Sequence, residues 1–199
     1  RALLWDGGVQ LGRKNWPVRL SATYFENRID NYIQFVSRSA YLYEAANLDN
    51  TSIRGIEGSL IANPIERIGL NGNYTWTEHA TYGQSRLPLP GRPDHRIHGQ
   101  LDYEAAGLWF LDNIHSLKFF GQVRYRSLVS VDPFGNLQSP AYTAINAGAS
   151  LEPVPGFDAS LRVKNITDNQ SRTDFFQRPL PGRSYFFNIE LIQGADSNE

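Results

Sequence analysis

Residues 179–191 read PLPGRSYFFNIEL. The two prolines and the glycine end any preceding element, and an alternating segment then begins. One side of that segment is apolar and aromatic, with Tyr185, Phe187, Ile189 and Leu191. The other side carries Ser184, Asn188 and Glu190. A period of two is typical of a β-strand, so the segment predicts a strand with one apolar and one polar face.

The same alternation recurs along the rest of the chain. It is seen at 5–12, 18–24 with a continuation over 32–35, 55–62, 68–77, 97–104, 117–126, 143–152 and 158–164. The continuation requires a change of parity between Glu26 and Ile29, which a β-bulge would provide. No segment of useful length has a helical period. The sequence therefore predicts an all-β fold, an antiparallel up-and-down meander of about nine strands.

The predicted connections alternate between short and long. The short ones cover 15–17, 63–67, 106–114 and 153–156, and the long ones cover 37–50, 79–94, the segment around 132–136, and 167–181. Bacterial outer-membrane barrels have short periplasmic turns and long outer loops. The alternation therefore favours such a barrel.

The composition is compatible with an outer-membrane barrel and argues against nucleic-acid binding, disulfides, thiolate metal sites and membrane-spanning helices. A net charge of −1 implies no general attraction to nucleic acid. The absence of cysteine excludes disulfides and thiolate metal sites. No apolar run approaches the roughly 18 residues of a spanning helix. A mean hydropathy of −0.42 still allows a barrel, because only alternate residues of a barrel strand face lipid.

A soluble β-sandwich and a soluble lipocalin-like barrel are the alternatives. The sandwich would have connections of mixed length, and the soluble barrel would have an apolar interior. The polar faces instead carry mid-strand polar and charged groups: Glu57, Asn71, Asn73, Asp102, Glu104, Lys118, Arg124, Arg162 and Glu190. These groups suit a wet lumen. The residues then predicted to face lipid are Tyr74, Trp76, Leu101, Tyr103, Phe119, Tyr125, Tyr185, Phe187, Ile189 and Leu191.

Several motifs occur in a recognisable order. They are IRGIEG at 53–58, LNGNYTW at 70–76, LPGRPDHR at 89–96, LRVKNITDN at 161–169 and PGRSYF at 181–186. In kind, order and spacing they resemble the C-terminal part of the β-barrel of TonB-dependent outer-membrane receptors. The resemblance covers nearly all of the chain. The family's last strand usually ends on an aromatic residue, whereas Gln193 stands at the equivalent position here.

This resemblance implies a partial, open segment of a 22-stranded transmembrane barrel. We expect residues 1–193 to be barrel and 194–199 to be a polar C-terminal tail. The chain has no methionine, no signal peptide and no plug sequence, so we expect a piece of a longer protein that is inactive alone. Its expected partners are outer-membrane lipid, the missing N-terminal strands and plug domain, and the TonB complex, reached through the missing N-terminal part.

The resemblance also implies a function in the bacterial outer membrane, the energised uptake of a scarce nutrient of the siderophore-iron, cobalamin or haem class. A passive or structural barrel, porin-like or adhesive, is one alternative, and a soluble carbohydrate-binding sandwich is a weaker one. No enzymatic activity, cofactor or nucleic-acid partner is expected. No nucleophile-elbow sequence is present, and the four histidines lack the spacing of helical metal sites.

Candidate contacts for a metal chelate or similar small molecule lie on the predicted outer loops. They are Tyr41, Tyr43, Tyr82, Arg86, Arg92, Phe134, Phe175, Phe176 and Arg178. Aromatic and arginine side chains suit a bulky or anionic ligand. The alternative for any one of them is that it orders its loop or belongs to the aromatic girdle.

Overall fold

The computed structural model describes residues 1–39, 42–105, 114–132, 134, 136–170, 179 and 181–191. None of these residues belongs to a helix long and apolar enough to cross a membrane. The strands in chain order are β1 (Ala2–Leu11), β2 (Val18–Ile29), β3 (Tyr32–Ser39), β4 (Leu42–Leu48), β5 (Thr51–Ile65), β6 (Ile68–Tyr82), β7 (Leu87–Pro88), β8 (His95–Ala105), β9 (Ser116–Arg126), β10 (Val129–Ser130), β11 (Gln138–Ser139), β12 (Tyr142–Val154), β13 (Phe157–Lys164) and β14 (Ser184–Leu191).

One antiparallel sheet dominates the structure, with the order β1-β2-β5-β6-β8-β9-β12-β13-β14 and with β7 added to β6. The nine predicted strands are the nine strands of this path. Within the described residues, β1 pairs only with β2 and β14 only with β13, so the sheet is open at both edges. This confirms an up-and-down meander that is a partial barrel, and it excludes the two-sheet sandwich.

Cross-strand register sorts the side chains onto two faces, because directly paired residues lie on the same side of a sheet. Tyr74 pairs with Ile97, and Ile97 pairs with Tyr125. Followed strand by strand, this register places all ten residues predicted to face lipid on one side, which we call the apolar face. The opposite side, the polar face, carries the mid-strand amides and charges.

A chain of hydrogen bonds crosses the polar face. Gln100 Nε2 donates to Asp102 Oδ2 at 2.8 Å and Gln122 Nε2 donates to Gln100 Oε1 at 2.9 Å. Asn146 Nδ2 then donates to Gln122 Oε1 at 3.4 Å, and Asn146 Oδ1 accepts from Asn165 N at 2.9 Å. These bonds satisfy polar groups that strand pairing brings close together.

The two ends of the sheet differ in their connections. The end that carries 30–50, 83–94, 127–141 and 165–183 is called the long-loop end, and the end that carries 12–17, 66–67, 106–115 and 155–156 is called the short-turn end. The alternation predicted from the sequence is therefore present. The connection over 106–115 is the longest of the short set.

The predicted continuation of the second strand into 32–35 is wrong. β2 ends at Ile29, opposite Thr51, and pairing resumes at Tyr32 opposite Leu48 in a separate β3–β4 sheet. Asn31 and Asn50 interrupt the two sides at the same level, with φ of 58° and 52°. Asparagine tolerates this left-handed conformation better than most residues do, so the break is local.

The turn predicted over 63–67 is also shorter than expected. β5 continues through Pro64 to Ile65, and only Glu66 and Arg67 form the turn. The β5–β6 register shifts between Ala62 and Ile65, which is an irregularity of the kind at which a strand accepts proline.

Candidate functional site

The connections at the long-loop end pack into a small apolar cluster. Leu48, Ile53 and Leu89 are buried there, and Tyr32 and Tyr82 are among the half-buried residues that pack against them. These residues come from the β3–β4 hairpin, the start of β5, the end of β6 and the segment after β7. Tyr82, a predicted ligand contact, therefore contributes to holding the loops together.

Hydrogen bonds join the same connections. Gln34 Nε2 donates to Pro90 O at 2.7 Å, and Gly91 N donates to Ser130 O at 2.9 Å. Leu89 and Val131 are almost fully buried, with exposures of 2% and 1%. Segment 87–94 is thus bonded to the β3–β4 hairpin on one side and to the β10–β11 hairpin on the other.

Arg92, another predicted ligand contact, lies beside a cavity on the polar side of the sheet. Its Nη2 donates to Tyr32 Oη at 3.3 Å. The cavity has a volume of about 500 Å³, and its polar lining includes Asp6, Thr23, Tyr32, Glu57, Arg92 and Arg96. This cavity therefore opens between the long loops and the part of the polar face that lies nearest the long-loop end.

The remaining predicted contacts are dispersed or lie outside the described residues. Arg86 occupies the turn after β6 with φ of 51° and lines a different cavity, whereas Phe134 is 64% exposed. Tyr43 lies in β4, and its side chain is outside the described part of the structure. Also outside are Tyr41, Phe175, Phe176 and Arg178, together with Gln193 and the tail 194–199.

Strand pairing assembles a group of cations that the loop-based prediction did not include. Arg96 lies opposite Arg126, and His98 lies opposite Arg124, all on the polar face near the long-loop end. A cavity of about 390 Å³ is lined by these four residues and by Tyr142, among others. Arg96 also lines the cavity beside Arg92, so the two cavities adjoin. We call Arg92, Arg96, Arg124 and Arg126 the arginine cluster.

Local contacts hold Arg126 in position. Its Nη2 donates to Ser139 Oγ at 2.8 Å and to Pro140 O at 3.1 Å, and its Cζ lies 5.1 Å from the Tyr142 ring centroid. Directly opposed like charges, such as Arg96 and Arg126, destabilise a sheet. An arrangement that keeps them together is therefore suited to binding an anion, whose charge would offset this repulsion.

The sequence contains a signal for this cluster, but an incomplete one. Arg96 and His98 share one strand face, as do Arg124 and Arg126, and both pairs lie where their strands meet long loops. The two pairs become neighbours only through the register of β8 against β9, which the sequence does not reveal. Among the described residues, no group of three or more His, Asp or Glu side chains could hold a metal ion.

The motif LRVKNITDN contains the end of β13 and the turn that follows it. Asn165 Nδ2 donates to Asn169 O at 2.9 Å and to Pro181 O at 2.8 Å, while its Oδ1 accepts from Asn169 N at 3.0 Å. Asp168 Oδ1 accepts from Arg183 N at 2.8 Å. The motif therefore joins the end of β13 to the segment that enters β14.

Comparisons with known proteins agree with this architecture. The family described as "TonB dependent receptor-like, beta-barrel" matches residues 2–166. A search of curated proteins finds no match.

Three solved structures are similar to this chain, each at 16% sequence identity and each over 96% of its length. A ferric enterobactin receptor (PfeA) mutant from Pseudomonas aeruginosa has a TM-score of 0.73 with 31% of that chain covered. The siderophore receptor PiuA from Acinetobacter baumannii has 0.74 with 28% covered. FpvA from P. aeruginosa, bound to a heterologous pyoverdine, has 0.73 with 27% covered. The chain thus spans less than a third of each, and the likeness shows the fold.

Proposed function

The chain belongs to the TonB-dependent receptor β-barrel family, and we propose that it is part of a receptor for energised nutrient uptake across the bacterial outer membrane. Proteins of this family are outer-membrane transporters, not enzymes. The proposed nutrient is a metal chelate of the siderophore–iron, cobalamin or haem class. The proposed partner for energy transfer is the TonB complex, contacted outside the present sequence.

In this proposal the apolar face meets lipid and the polar face lines the lumen. On the apolar face, Trp76, Tyr74 and Tyr125 lie toward the long-loop end, whereas Tyr103 and Phe119 lie toward the short-turn end. Aromatic bands at both margins of an apolar zone are typical of transmembrane barrels. The long-loop end is accordingly proposed to face the cell exterior.

The described segment is not proposed to transport on its own. The outer sides of β1 and β14 are without strand partners among the described residues. Exposed backbone N–H and C=O groups are not tolerated in lipid, so the edges require further strands. The active unit is therefore proposed to include the remaining barrel and a plug domain.

The arginine cluster is the observation that carries the ligand proposal. It lies on the proposed lumen side, at the end proposed to face the exterior, next to the cavity bounded by Arg92 and Tyr32. Several guanidinium groups beside an aromatic ring suit a bulky anion. A porin-like function would also use a polar lumen, but family membership favours a receptor.

A growth and uptake assay tests the proposal. A strain lacking the intact gene is complemented with the intact gene or with its Arg124→Gln/Arg126→Gln form, then grown on a panel of iron chelates and cobalamin. We expect the double variant to lower uptake of one anionic chelate about tenfold or more, since charge-assisted hydrogen bonds contribute roughly 1.5–3 kcal/mol each.

The matched control is Arg19→Gln/Lys118→Gln, which removes the same charge from the short-turn end of the polar face. Uptake by this control is expected to stay near that of the unmodified receptor. A deletion strain that loses growth on none of the chelates or cobalamin would contradict nutrient import.

A further inference from the structure

A charged cavity interrupts the apolar face at the long-loop end. The rings of Trp5 and Tyr24 lie 5.1 Å apart on this face. The next residues of β2 with the same orientation are Glu26 and Arg28, and register places Arg54 opposite Glu26. Trp5 itself pairs with Glu26, and Leu3 pairs with Arg28. In β2 and β5 the apolar surface therefore ends at Tyr24 and Ile56, beside the Trp5 ring.

The cavity has a volume of about 510 Å³. Its charged and amide lining is formed by Glu26, Arg28, Asp30, Asn50, Arg54, Gln84 and Arg86. Glu26, Arg28 and Arg54 alternate with the polar-face residues of their strands, so this cavity and the arginine cluster lie on opposite sides of the sheet. It is a separate site.

The arginines of this cavity are only partly engaged by carboxylates. Glu26 is buried, and its Oε1 accepts from Arg28 Nε at 2.7 Å and contacts Arg28 Nη2 at 2.6 Å. The Arg28 side chain nevertheless remains 67% exposed. A guanidinium has five N–H donors, so donors remain for a ligand.

Arg54 adds an unused donor. Its Nη2 lies 3.1 Å from Glu78 Oε1, but its Nε is buried and has no hydrogen-bond partner among the described residues. A buried donor of this kind requires an explanation, such as a ligand that supplies the acceptor.

We propose that this cavity binds the phosphorylated sugar headgroup of a glycolipid in the surrounding membrane. The proposal rests on the orientation given under Proposed function, in which the apolar face meets acyl chains and the cavity lies at headgroup level. Arg28, Arg54 and Arg86 supply donors for phosphate oxygens, because basic pockets beside an apolar surface recognise anionic headgroups.

The other polar residues of the cavity favour a sugar over a simple phosphate. Glu26 and Asp30 repel a phosphate but accept hydrogen bonds from sugar hydroxyls, and Asn50 and Gln84 both donate and accept. The Trp5 and Tyr24 rings lie on the side where acyl chains begin, as interfacial aromatics do.

The test is binding of diphosphorylated lipid A to the detergent-purified full receptor, measured by native mass spectrometry. Two variants are compared with the unmodified receptor. Arg86→Gln removes one cation, and Glu26→Gln/Arg28→Gln removes another while keeping the pair neutral, so no buried charge is left alone. Arg86→Gln is expected to weaken lipid A binding about fivefold, from roughly 1 kcal/mol per arginine near a headgroup. Glu26→Gln/Arg28→Gln removes a repelling carboxylate together with the arginine, so it is expected to weaken binding by a smaller factor, through the loss of the Arg28 donors. Lipid A without phosphates is expected to bind more weakly to the unmodified receptor.

The control is Arg13→Gln, an exposed residue of a turn at the short-turn end. Equal lipid A binding by all variants would overturn the proposal, and so would a loss in Arg13→Gln that matches the other two. Displacement of lipid A by millimolar inorganic phosphate would show a small-anion site instead of a lipid site. Chelate binding is measured on the same samples. A receptor that binds no chelate but shows the expected lipid A pattern would contradict only the uptake function.

Discussion

Asn165 connects three segments of the chain through one buried side chain. It is 6% exposed, and its amide bonds to the turn at Asn169 and to Pro181 before β14, while its backbone N–H donates to Asn146. Its φ of 51° adds a second requirement, because few residues other than glycine and asparagine adopt this conformation readily. Position 165 therefore needs both an amide and a left-handed backbone.

Asn165→Ala is expected to destabilise the receptor by about 1–3 kcal/mol, since buried partners lose their hydrogen bonds. The measurement is urea unfolding of the full receptor in lipid vesicles. Asn188→Ala, on the exposed polar face of β14, is the matched control and is expected to have little effect. Equal unfolding curves for the two variants would show that the turn does not depend on this amide.

Gly148 allows an aromatic ring to lie across β12 on the polar face. A Cβ at this position would lie 2.5 Å from Phe120 Cε1 and 2.6 Å from Leu161 O, which are a ring and a backbone atom. Phe120 in turn packs under Arg162, whose Cζ lies 5.2 Å from the ring centroid. The absence of a side chain at 148 therefore positions this cation–π pair.

Gly148→Ala is expected to cost about 1–3 kcal/mol, as overpacking of a well-filled site does. Gly121→Ala is the control, because a Cβ there meets nothing within 4 Å. The thermal unfolding of both variants is measured from the change in the receptor's gel mobility on heating. A Gly121→Ala variant as unstable as Gly148→Ala would point to strand propensity and not to the Phe120 contact.

At the level of elements, the β3–β4 hairpin is separate from the main sheet yet bonded to its loops. Asn31 and Asn50 break the ladder between this hairpin and the β2–β5 pair. The hairpin then contacts segment 87–94 through Gln34 and the apolar cluster. This contact holds the wall of the cavity that contains Arg92.

Gln34→Ala is expected to loosen segment 87–94, because the Pro90 carbonyl loses its donor. Hydrogen exchange of the Leu89 and Gly91 amides should accelerate about fivefold, corresponding to roughly 1 kcal/mol for one hydrogen bond. Gln10→Ala in β1 serves as the control. Unchanged exchange across 87–94 would show that the apolar cluster alone orders the loop.

For the whole molecule, the two faces of one sheet are proposed to meet two different solvents. Two consecutive residues of one strand should therefore lie in different solvents, one in lipid and the other in water. Phe119 lies on the apolar face and Lys118 on the polar face of β9. The present chain contains no cysteine, which simplifies labelling at single sites.

Spin labels on the receptor's Phe119→Cys and Lys118→Cys variants are expected to respond to different relaxing agents. The label at 119 should be more accessible to dissolved oxygen, which concentrates in lipid, and the label at 118 to a water-soluble nickel chelate. The measurement is power-saturation electron paramagnetic resonance in lipid vesicles. Similar accessibilities at both sites would contradict the proposed lipid and lumen assignment.

The alternation of apolar and polar residues alone predicts most of the fold. Successive side chains of a strand point to opposite faces regardless of which strand lies alongside, so local sequence reveals the nine strands and their apolar faces. The predicted strand bounds were wrong where the backbone conformation departs from what the hydrophobic pattern indicates. The left-handed break at Asn31 and the continuation of β5 through Pro64 are the two examples.

The strand register and the packing of the loops are determined only by the tertiary structure. Backbone hydrogen bonds between strands do not depend on side-chain identity, so the local pattern does not reveal which residue lies opposite which. Arg96 and Arg126 are far apart in the chain and become neighbours only through β8–β9 pairing. The cavity with Arg28, Arg54 and Arg86 likewise combines β2, β5 and the turn after β6. The two faces are thus a property of each strand, whereas both candidate binding sites are properties of the assembled sheet.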